Sequence, residues 1–310
     1  MADSLVIRSA TLDDYQGVMD IGKLYDGLDY LPVQYEKYLK RFNCYVGEID
    51  GEIVAFHADR LVDAGVTIVN AAARVKESFQ GRGILAAILK HVRDSYVNQK
   101  TVKYETMTVN NVNVHGERIK RKFTLLLERI LVELIGDVGD FNPNKFESDQ
   151  TAVQELTSED LKKIFQSKDT CSRLFPGERI VPNWYPYRLL PENIPLMMDW
   201  FKFWGTKISD QSTYKTLTVT EHFHLGEMLI FKLCIYGNDV VDIQQHCLKH
   251  IQNLNLLVKM GTCTSIIVHI TYSLDFQDTA TFLSMFEKCG FKINDDLHHN
   301  RMLVYEREIK

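Results

Sequence analysis

The sequence has 310 residues, 45% of them apolar and 25% charged, with a formal net charge of −5 at neutral pH. That balance fits a soluble globular chain long enough for two hydrophobic cores, and it excludes the basic footprint of a general nucleic-acid binder. No run approaches the roughly 18 apolar residues of a membrane span, the N-terminus lacks the charged-then-apolar pattern of a signal peptide, and six cysteines without Cys-x-x-Cys spacing read as reduced core thiols of a cytoplasmic protein.

Leu5 to Ala10 reads as an opening strand. Thr11, with Asp14 three residues on, predicts a capped helix running to about Leu24. Tyr25-Asp26-Gly27-Leu28-Asp29-Tyr30-Leu31-Pro32 follows, a loop dense in aromatics and carboxylates between a Gly and a Pro, and then a helix over Val33 to Arg41. Two strands, Cys44 to Ile49 and Glu52 to Val62, flank Asp50-Gly51, the strongest hairpin signal in the chain. Alternation on the second strand puts Ala55, His57 and Asp59 on one face, and an imidazole there has the near-neutral pKa a general base needs.

Val66 to Val75 is β-branched and small, as expected of a strand that a ligand approaches closely. Gln80-Gly81-Arg82-Gly83-Ile84-Leu85 then leads into a helix, because Ile84, Leu85, Ile88, Leu89, Val92 and Tyr96 recur at helical spacing. Glycines at 81 and 83 let the backbone turn tightly and gather N–H groups at a helix start, which is the physical recipe for a phosphate site. The next strand, Val102 to Val109, carries Glu105, a second candidate base with Asp29 as its rival. Residues 114 to 136 read as helical or mixed, with a basic cluster at Arg118, Lys120, Arg121 and Lys122.

Gly136 to Asn144, rich in Gly, Asn, Asp and Pro, marks the boundary. The expected division is 1–138, a linker at 139–155, and 156–310. In the second part Thr157 caps a helix through Phe165, and Val181 to Arg188 is aromatic and proline-stiffened, with Trp184, Tyr187 and Arg188 available to a pocket or to packing. From Lys215 the pattern of the first half returns: strands Lys215 to Val219 and Glu227 to Tyr236, a helix Val240 to Val258, a strand Cys263 to Ile270, a helix Asp275 to Cys289 and a strand Met302 to Glu306. Its strand-to-helix turn, Tyr236-Gly-Asn-Asp-Val240, has one glycine and an acid where a phosphate would sit, and like charge disfavours an anion. His246 and His250 lie at i, i+4 on that helix without a zinc-ligand pattern, so they read as solvent-facing and no metal is expected.

The Gln80 to Leu85 loop between strand and helix resembles the acetyl-coenzyme A signature of the GNAT acetyltransferases, with Leu85 standing where the family has Gly or Ala. Together with Tyr25 to Pro32, Val62-Asp-Ala-Gly65, Ala73-Arg-Val75 and Trp184 to Arg188, it resembles the vertebrate histidine N-acetyltransferase group and its relatives. The resemblance implies an α+β fold of tandem GNAT-like domains, mixed and mostly antiparallel sheets flanked by helices, with the second domain degenerate. It implies acetyl-CoA as cosubstrate and a free amino acid, foremost histidine, as acceptor. Ala73, Arg74 and Val75 would pair with the pantetheine arm, and Gln80, Gly81, Arg82, Gly83, Ile84 and Leu85 would hold the pyrophosphate. Tyr25, Asp26, Asp29 and Tyr30 are candidates for the acceptor's imidazole, and Arg188 or Arg74 for its carboxylate. The tyrosine that many GNAT enzymes place after the splayed strand is absent from His115 to Phe123. An N-acetyltransferase for another small amine or for a protein lysine or N-terminus, and a non-catalytic acyl-CoA sensor, remain open alternatives, and oligomeric state is not legible.

Overall fold

The computed structural model describes residues 5–22, 28–113, 117–146, 152–208, 213–276, 278–294 and 300–309. The chain forms two compact units, Met1–Met107 with Glu306–Lys310, and Thr108–Tyr305. Both are α+β.

The first unit builds a sheet in the order β1 (Val6–Ser9), β2 (Asn43–Ile49), β3 (Glu52–Val62), β4 (Thr67–Val75) and β5 (Tyr104–Asn110). Its first four strands are antiparallel neighbours, and β4 and β5 are parallel. Asp50 and Gly51 both take positive φ, 51° and 81°, as the two-residue turn between β2 and β3 requires. The Thr11–Asp14 capping pair forms, with Thr11 N and Oγ1 donating to Asp14 Oδ2 at 2.8 and 3.0 Å. The helix behind it, α1 (Tyr15–Met19), is shorter than the spacing predicts and ends well before Leu24. Helix α2 (Leu31–Arg41) starts with Pro32 in its first turn, where the missing N–H has no helical partner anyway. It packs Tyr35 on Phe56 of β3. On the opposite face α3 (Ile84–Ser95) lays Ile84, Ile88 and Val92 over Ala55 and Ile68.

The second unit starts before the expected boundary. The segment read as helical or mixed divides into α4 (Glu117–Lys122) and a 14-residue strand, β6 (Thr124–Asp137). Its apolar residues fit both periods, and sheet pairing decides between them: β6 is antiparallel to β13 (Ser265–Ser273) from Arg129↔Ser273 to Asp137↔Ser265. Ile130, Val132 and Leu134 thereby enter the second core at period two. The boundary accordingly falls at Met107/Thr108 rather than at 138, because β6 has its partners in the second unit.

Between them lie β7 (Gln154–Glu155), α5 (Ser158–Gln166), α6 (Lys168–Leu174), β8 (Arg179–Ile180), β9 (Tyr187–Arg188) and α7 (Ile194–Met198). Strands β10 (Lys202–Lys207), β11 (Tyr214–Leu225) and β12 (Met228–Tyr236) and helix α8 (Val240–Met260) lead to β13, followed by α9 (Thr279–Lys288), β14 (Lys292–Ile293) and β15 (Arg301–Glu308). The sheet order is β15-β6-β13-β12-β11-β10-β7, with β14 also on β6. Thr157 caps α5 as expected, and β10 is a strand the sequence pattern missed. Trp184 packs within its own unit against Val181, Met302 and Val304.

Candidate acyl-transfer site

Strands β4 and β5 pair only from Thr67↔Tyr104 to Asn70↔Met107. Beyond Asn70 the β4 backbone has no partner on β5, while its pairing with β3 continues to Ala55↔Val75. A bulge sits at that divergence: Phe56 pairs with Arg74 and Ala58 with Ala71, so Ala72 and Ala73 together stand opposite the single residue His57, and Ala72 takes a φ of 51°. The strand thus bends and presents unpaired peptide groups along one edge, where an extended amide-bearing chain can bond.

The same strand runs into the glycine loop. Gly81 and Gly83 have φ of 77° and 81°, and Gly83 caps α3 in the left-handed conformation. Where a Cβ would stand at either glycine no atom lies within 4 Å. Residues Gln80, Gly81, Arg82 and Gly83 are all exposed. Gln80 Nε2 donates back to Val75 O at 3.2 Å and Arg82 Nη2 to Ser78 O at 3.1 Å, ordering the loop from both sides. A cavity of about 280 Å³, lined in part by Arg82, Gly83 and Ala87, opens at the first turn of α3. Exposed N–H groups at the positive end of a 12-residue helix, beside a guanidinium, can hold a pyrophosphate. Leu85 is half-buried within α3's first turn. Of the other residues expected at the coenzyme, Ala73 is exposed, Val75 half-buried and Ile84 buried against Ala55 and Ile68.

Arg74, just past the bulge, is 4% exposed and bonds to Asp29, Nη1 to Oδ2 at 2.6 Å and Nη2 to Oδ1 at 3.2 Å. Asp29 Oδ1 also accepts from Leu31 N, and the Tyr30 ring lies 6.0 Å from the guanidinium. The loop before α2 is thereby fastened to β4. Asp29, Tyr30 and Arg74 come together as one wall; Tyr25 and Asp26 lie outside the described residues. Arg188 sits on β9 of the second unit, paired in register with Arg179.

His57, Asp59 and Glu105 share the face under α3, and all three are wholly buried. His57 Nε2 meets Asn70 Oδ1 at 3.0 Å, and Asn70 Nδ2 donates to Glu105 Oε1 at 3.0 Å and Thr106 O at 3.3 Å. Arg307 Nε donates to Glu105 Oε2 at 2.7 Å, with Nη2 on the same oxygen, and Arg93 Nη1 is 3.4 Å away. Burial pushes the His57 imidazole down to about 4 against the help of Asn70. Burial likewise pushes the Asp59 carboxyl up to about 6, although Tyr96 and Asn43 both donate to it. Sequence reasoning missed Asn70, Arg93 and Arg307. Asn70 had a visible signal, an amide inside an otherwise apolar strand; Arg307 had none, because it lies 202 residues from its partner.

The second unit repeats the strand–helix–strand arrangement without the opening. β12 and β13 stay paired from Met228↔Ser265 to Cys234↔Thr271. At their ends Arg129 Nη2 donates to Ile235 O at 2.7 Å and Thr271 O at 3.2 Å, and its guanidinium stacks 4.3 Å from the Tyr236 ring. Asp239 caps α8 by accepting from Asp242 N at 2.9 Å and pairs with Lys215. The helix start is therefore occupied by the chain's own carboxylate, as the sequence reading expected. His246 and His250 correct that reading: both are fully buried, His246 between Thr206 and Thr218 and His250 on Thr218. Among the described residues no group of three or more His, Cys, Asp or Glu side chains is placed to hold a metal.

Residues 148–269 match a family model described as "Histidine N-acetyltransferase, C-terminal". The chain is 24% identical over 279 residues to histidine N-acetyltransferase of Oreochromis niloticus, covering 81% of this chain and 80% of that protein. The chain resembles the histidine N-acetyltransferases of the GNAT superfamily. It is also 24% identical over 277 residues to the human protein named probable N-acetyltransferase 16, covering 81% of this chain and 73% of that one. A tandem GNAT protein from the clavulanic acid biosynthesis pathway shares the fold over 98% of both chains, with a TM-score of 0.58 at 11% identity. A GCN5-related N-acetyltransferase from Sphaerobacter thermophilus does so over 99% and 96%, with a TM-score of 0.57 at 8% identity. The tandem GNAT fold is thus established. No helix among the described residues is long and apolar enough to cross a membrane.

Proposed function

We propose that this enzyme transfers the acetyl group of acetyl-CoA to the α-amino group of a free amino acid, L-histidine first, by direct attack in a ternary complex. The observation that carries the reading is the divergence of β4 from β5 at Asn70↔Met107, at a bulge and next to an open glycine loop, in the first unit alone. Histidine as acceptor is supported by the names of the Oreochromis niloticus relative and of the matching family.

In this reading the coenzyme's pyrophosphate lies on Gln80 to Leu85 and its pantetheine along Ala73 to Val75. A backbone N–H near Arg74 or Val75 receives the developing oxyanion. Asp29 and Tyr30, with Tyr25 and Asp26, recognise the imidazole. Both Arg74 Nη atoms are engaged by Asp29, so Arg74 braces the wall beside the acceptor rather than meeting its carboxylate.

The chemistry must suit a weak base. An imidazole held at about 4 cannot strip a free ammonium several units higher, so the acceptor binds as its neutral amine. Attack on the thioester carbon acidifies the nitrogen, and only then does His57 suffice to take its proton, which it passes to the departing thiolate. Glu105, buried among Asn70, Arg93 and Arg307, is a holding group for His57 rather than the first proton acceptor.

Incubating the purified chain with acetyl-CoA and a panel of free amino acids and lysine peptides, with release of coenzyme A thiol as readout, tests the proposal. Turnover with histidine above all others supports it; turnover with another amine keeps the chemistry and changes the acceptor. Coenzyme binding without turnover refutes it in favour of an acyl-CoA sensor, a reading favoured by the complete burial of His57 and Glu105.

A further inference from the structure

We infer that Arg307, from the last strand of the chain, is a positioning residue of the acyl-transfer site: through Glu105 and Asn70 it holds His57 with its proton on Nε2 and its Nδ1 lone pair bare. The inference deepens the proposed function and rests on it for its chemical meaning, but the hydrogen-bond logic is independent of activity.

That logic runs through four side chains. The Asn70 amide nitrogen faces two acceptors, Glu105 Oε1 at 3.0 Å and the Thr106 carbonyl at 3.3 Å. Its orientation is therefore fixed, and Oδ1 is the atom that faces His57 Nε2 at 3.0 Å. An amide oxygen only accepts, so Nε2 must donate. A neutral imidazole carries one ring proton, which leaves Nδ1 unprotonated, and this atom is buried without a partner among the described residues. His57 itself stands opposite the β4 bulge, since Phe56 pairs with Arg74 and Ala58 with Ala71. A bare, buried lone pair is thus kept next to the strand that borders the coenzyme slot.

Arg307 fixes the far end of the chain of bonds. Its Nε and Nη2 both reach Glu105 Oε2, leaving Oε1 for Asn70. Arg93 stands farther off, at 3.4 Å from each oxygen. The strand that delivers Arg307 is held by Ile309 N donating to Lys103 O at 2.7 Å, two residues before Glu105. A planar guanidinium with two donors on one oxygen sets the carboxylate's rotation, which a single ammonium does less well. In the transfer step the proton leaving the acceptor nitrogen enters at Nδ1, forming an imidazolium, and passes to the coenzyme sulfur as the C–S bond breaks. The enzyme ends with the proton arrangement it began with.

The test uses the full-length chain, with Arg307→Met and Arg307→Lys, and long-range proton–nitrogen NMR of the imidazoles assigned by His57→Gln. The expected wild-type signature at pH 7 is the Nε2–H form of His57. In Arg307→Met that signature gives way to a tautomer mixture, and kcat falls about 100-fold with the acetyl-CoA KM within about twofold; Arg307→Lys recovers most of both. An Nδ1–H tautomer in the wild type overturns the inference. So does an Arg307→Met variant that loses thermal stability yet keeps tautomer and kcat. If no amine is acetylated but the tautomer still depends on Arg307, the positioning stands and the transfer reading falls.

Discussion

Acid should unfold the second unit through its two buried histidines, and the size of the effect follows from the structure. His246 is fully buried, with Nε2 on Thr206 Oγ1 at 2.9 Å and Nδ1 on Thr218 Oγ1 at 2.8 Å; burial pushes it from an ordinary 6.5 down to about 3. His250, on the same hydroxyl, is pushed well down by burial and by His246 and Lys249. Below pH 6.5 the unfolded imidazole binds a proton that the folded one refuses. The unfolded state then holds more protons, and stability falls as pH drops from 6.5 toward the folded value. Between pH 6.5 and 5, His246 alone removes about 2 kcal/mol, at roughly 1.4 kcal/mol per pH unit, and His250 acts in the same direction. Asp242, whose carboxyl burial raises, opposes part of the loss by taking up its proton in the folded state. Glu133, Asp160 and Asp239 are lowered, so their contributions are lost only further into acid. All three tryptophans, Trp184, Trp200 and Trp204, lie in the second unit, so tryptophan fluorescence reports on it selectively. Urea titrations at pH 7.5 and 5.0 should differ by at least about 2 kcal/mol, corresponding to roughly 4–8 °C in Tm for a unit of this size. His246→Gln should cost stability at pH 7.5 and remove about half of the pH dependence. A pH dependence unchanged in His246→Gln, or absent from the wild type, refutes the reasoning.

Three further outcomes are expected. Gly83→Ala puts a side chain on a backbone with φ of 81°, a strain of about 1–2 kcal/mol, and should weaken acetyl-CoA binding about tenfold by calorimetry while leaving the acceptor KM unchanged. Asp29→Ala leaves the Arg74 guanidinium buried without its carboxylate, so the first unit should lose about 3 kcal/mol in thermal or urea unfolding and the acceptor KM should rise; an unchanged KM removes Asp29 from the pocket. Arg129→Leu breaks the two bonds that cap Ile235 and Thr271 and should lower second-unit stability by about 2–3 kcal/mol. Calorimetry should count one acyl-CoA per chain in wild type and Arg129→Leu alike.

What the sequence determined by itself was local. Asp50-Gly51 and the glycines at 81 and 83 are demanded by backbone angles that other residues reach only with strain, so the hairpin and the glycine loop were legible at sight. The Thr11–Asp14 and Thr157–Asp160 caps were legible for the same reason, since each is settled within four residues. The acid at Asp239 likewise announced its cap on α8.

Tertiary structure decided whatever depends on which strand lies beside which. β6 carries apolar residues that suit a helix or a strand, and only its ladder with β13 settles the matter and moves the boundary to Met107/Thr108. His246 and His250 have the spacing of a solvent face, yet hydroxyls of β10 and β11 make their burial tolerable. The divergence of β4 from β5, the Arg129 bonds across β12 and β13, and the Arg307–Glu105 pair all join residues far apart in the chain. A window of ten or twenty residues encodes dihedral preference and hydrophobic period, but a partner supplied from 202 residues away enters no such window; sheet register alone brings it there.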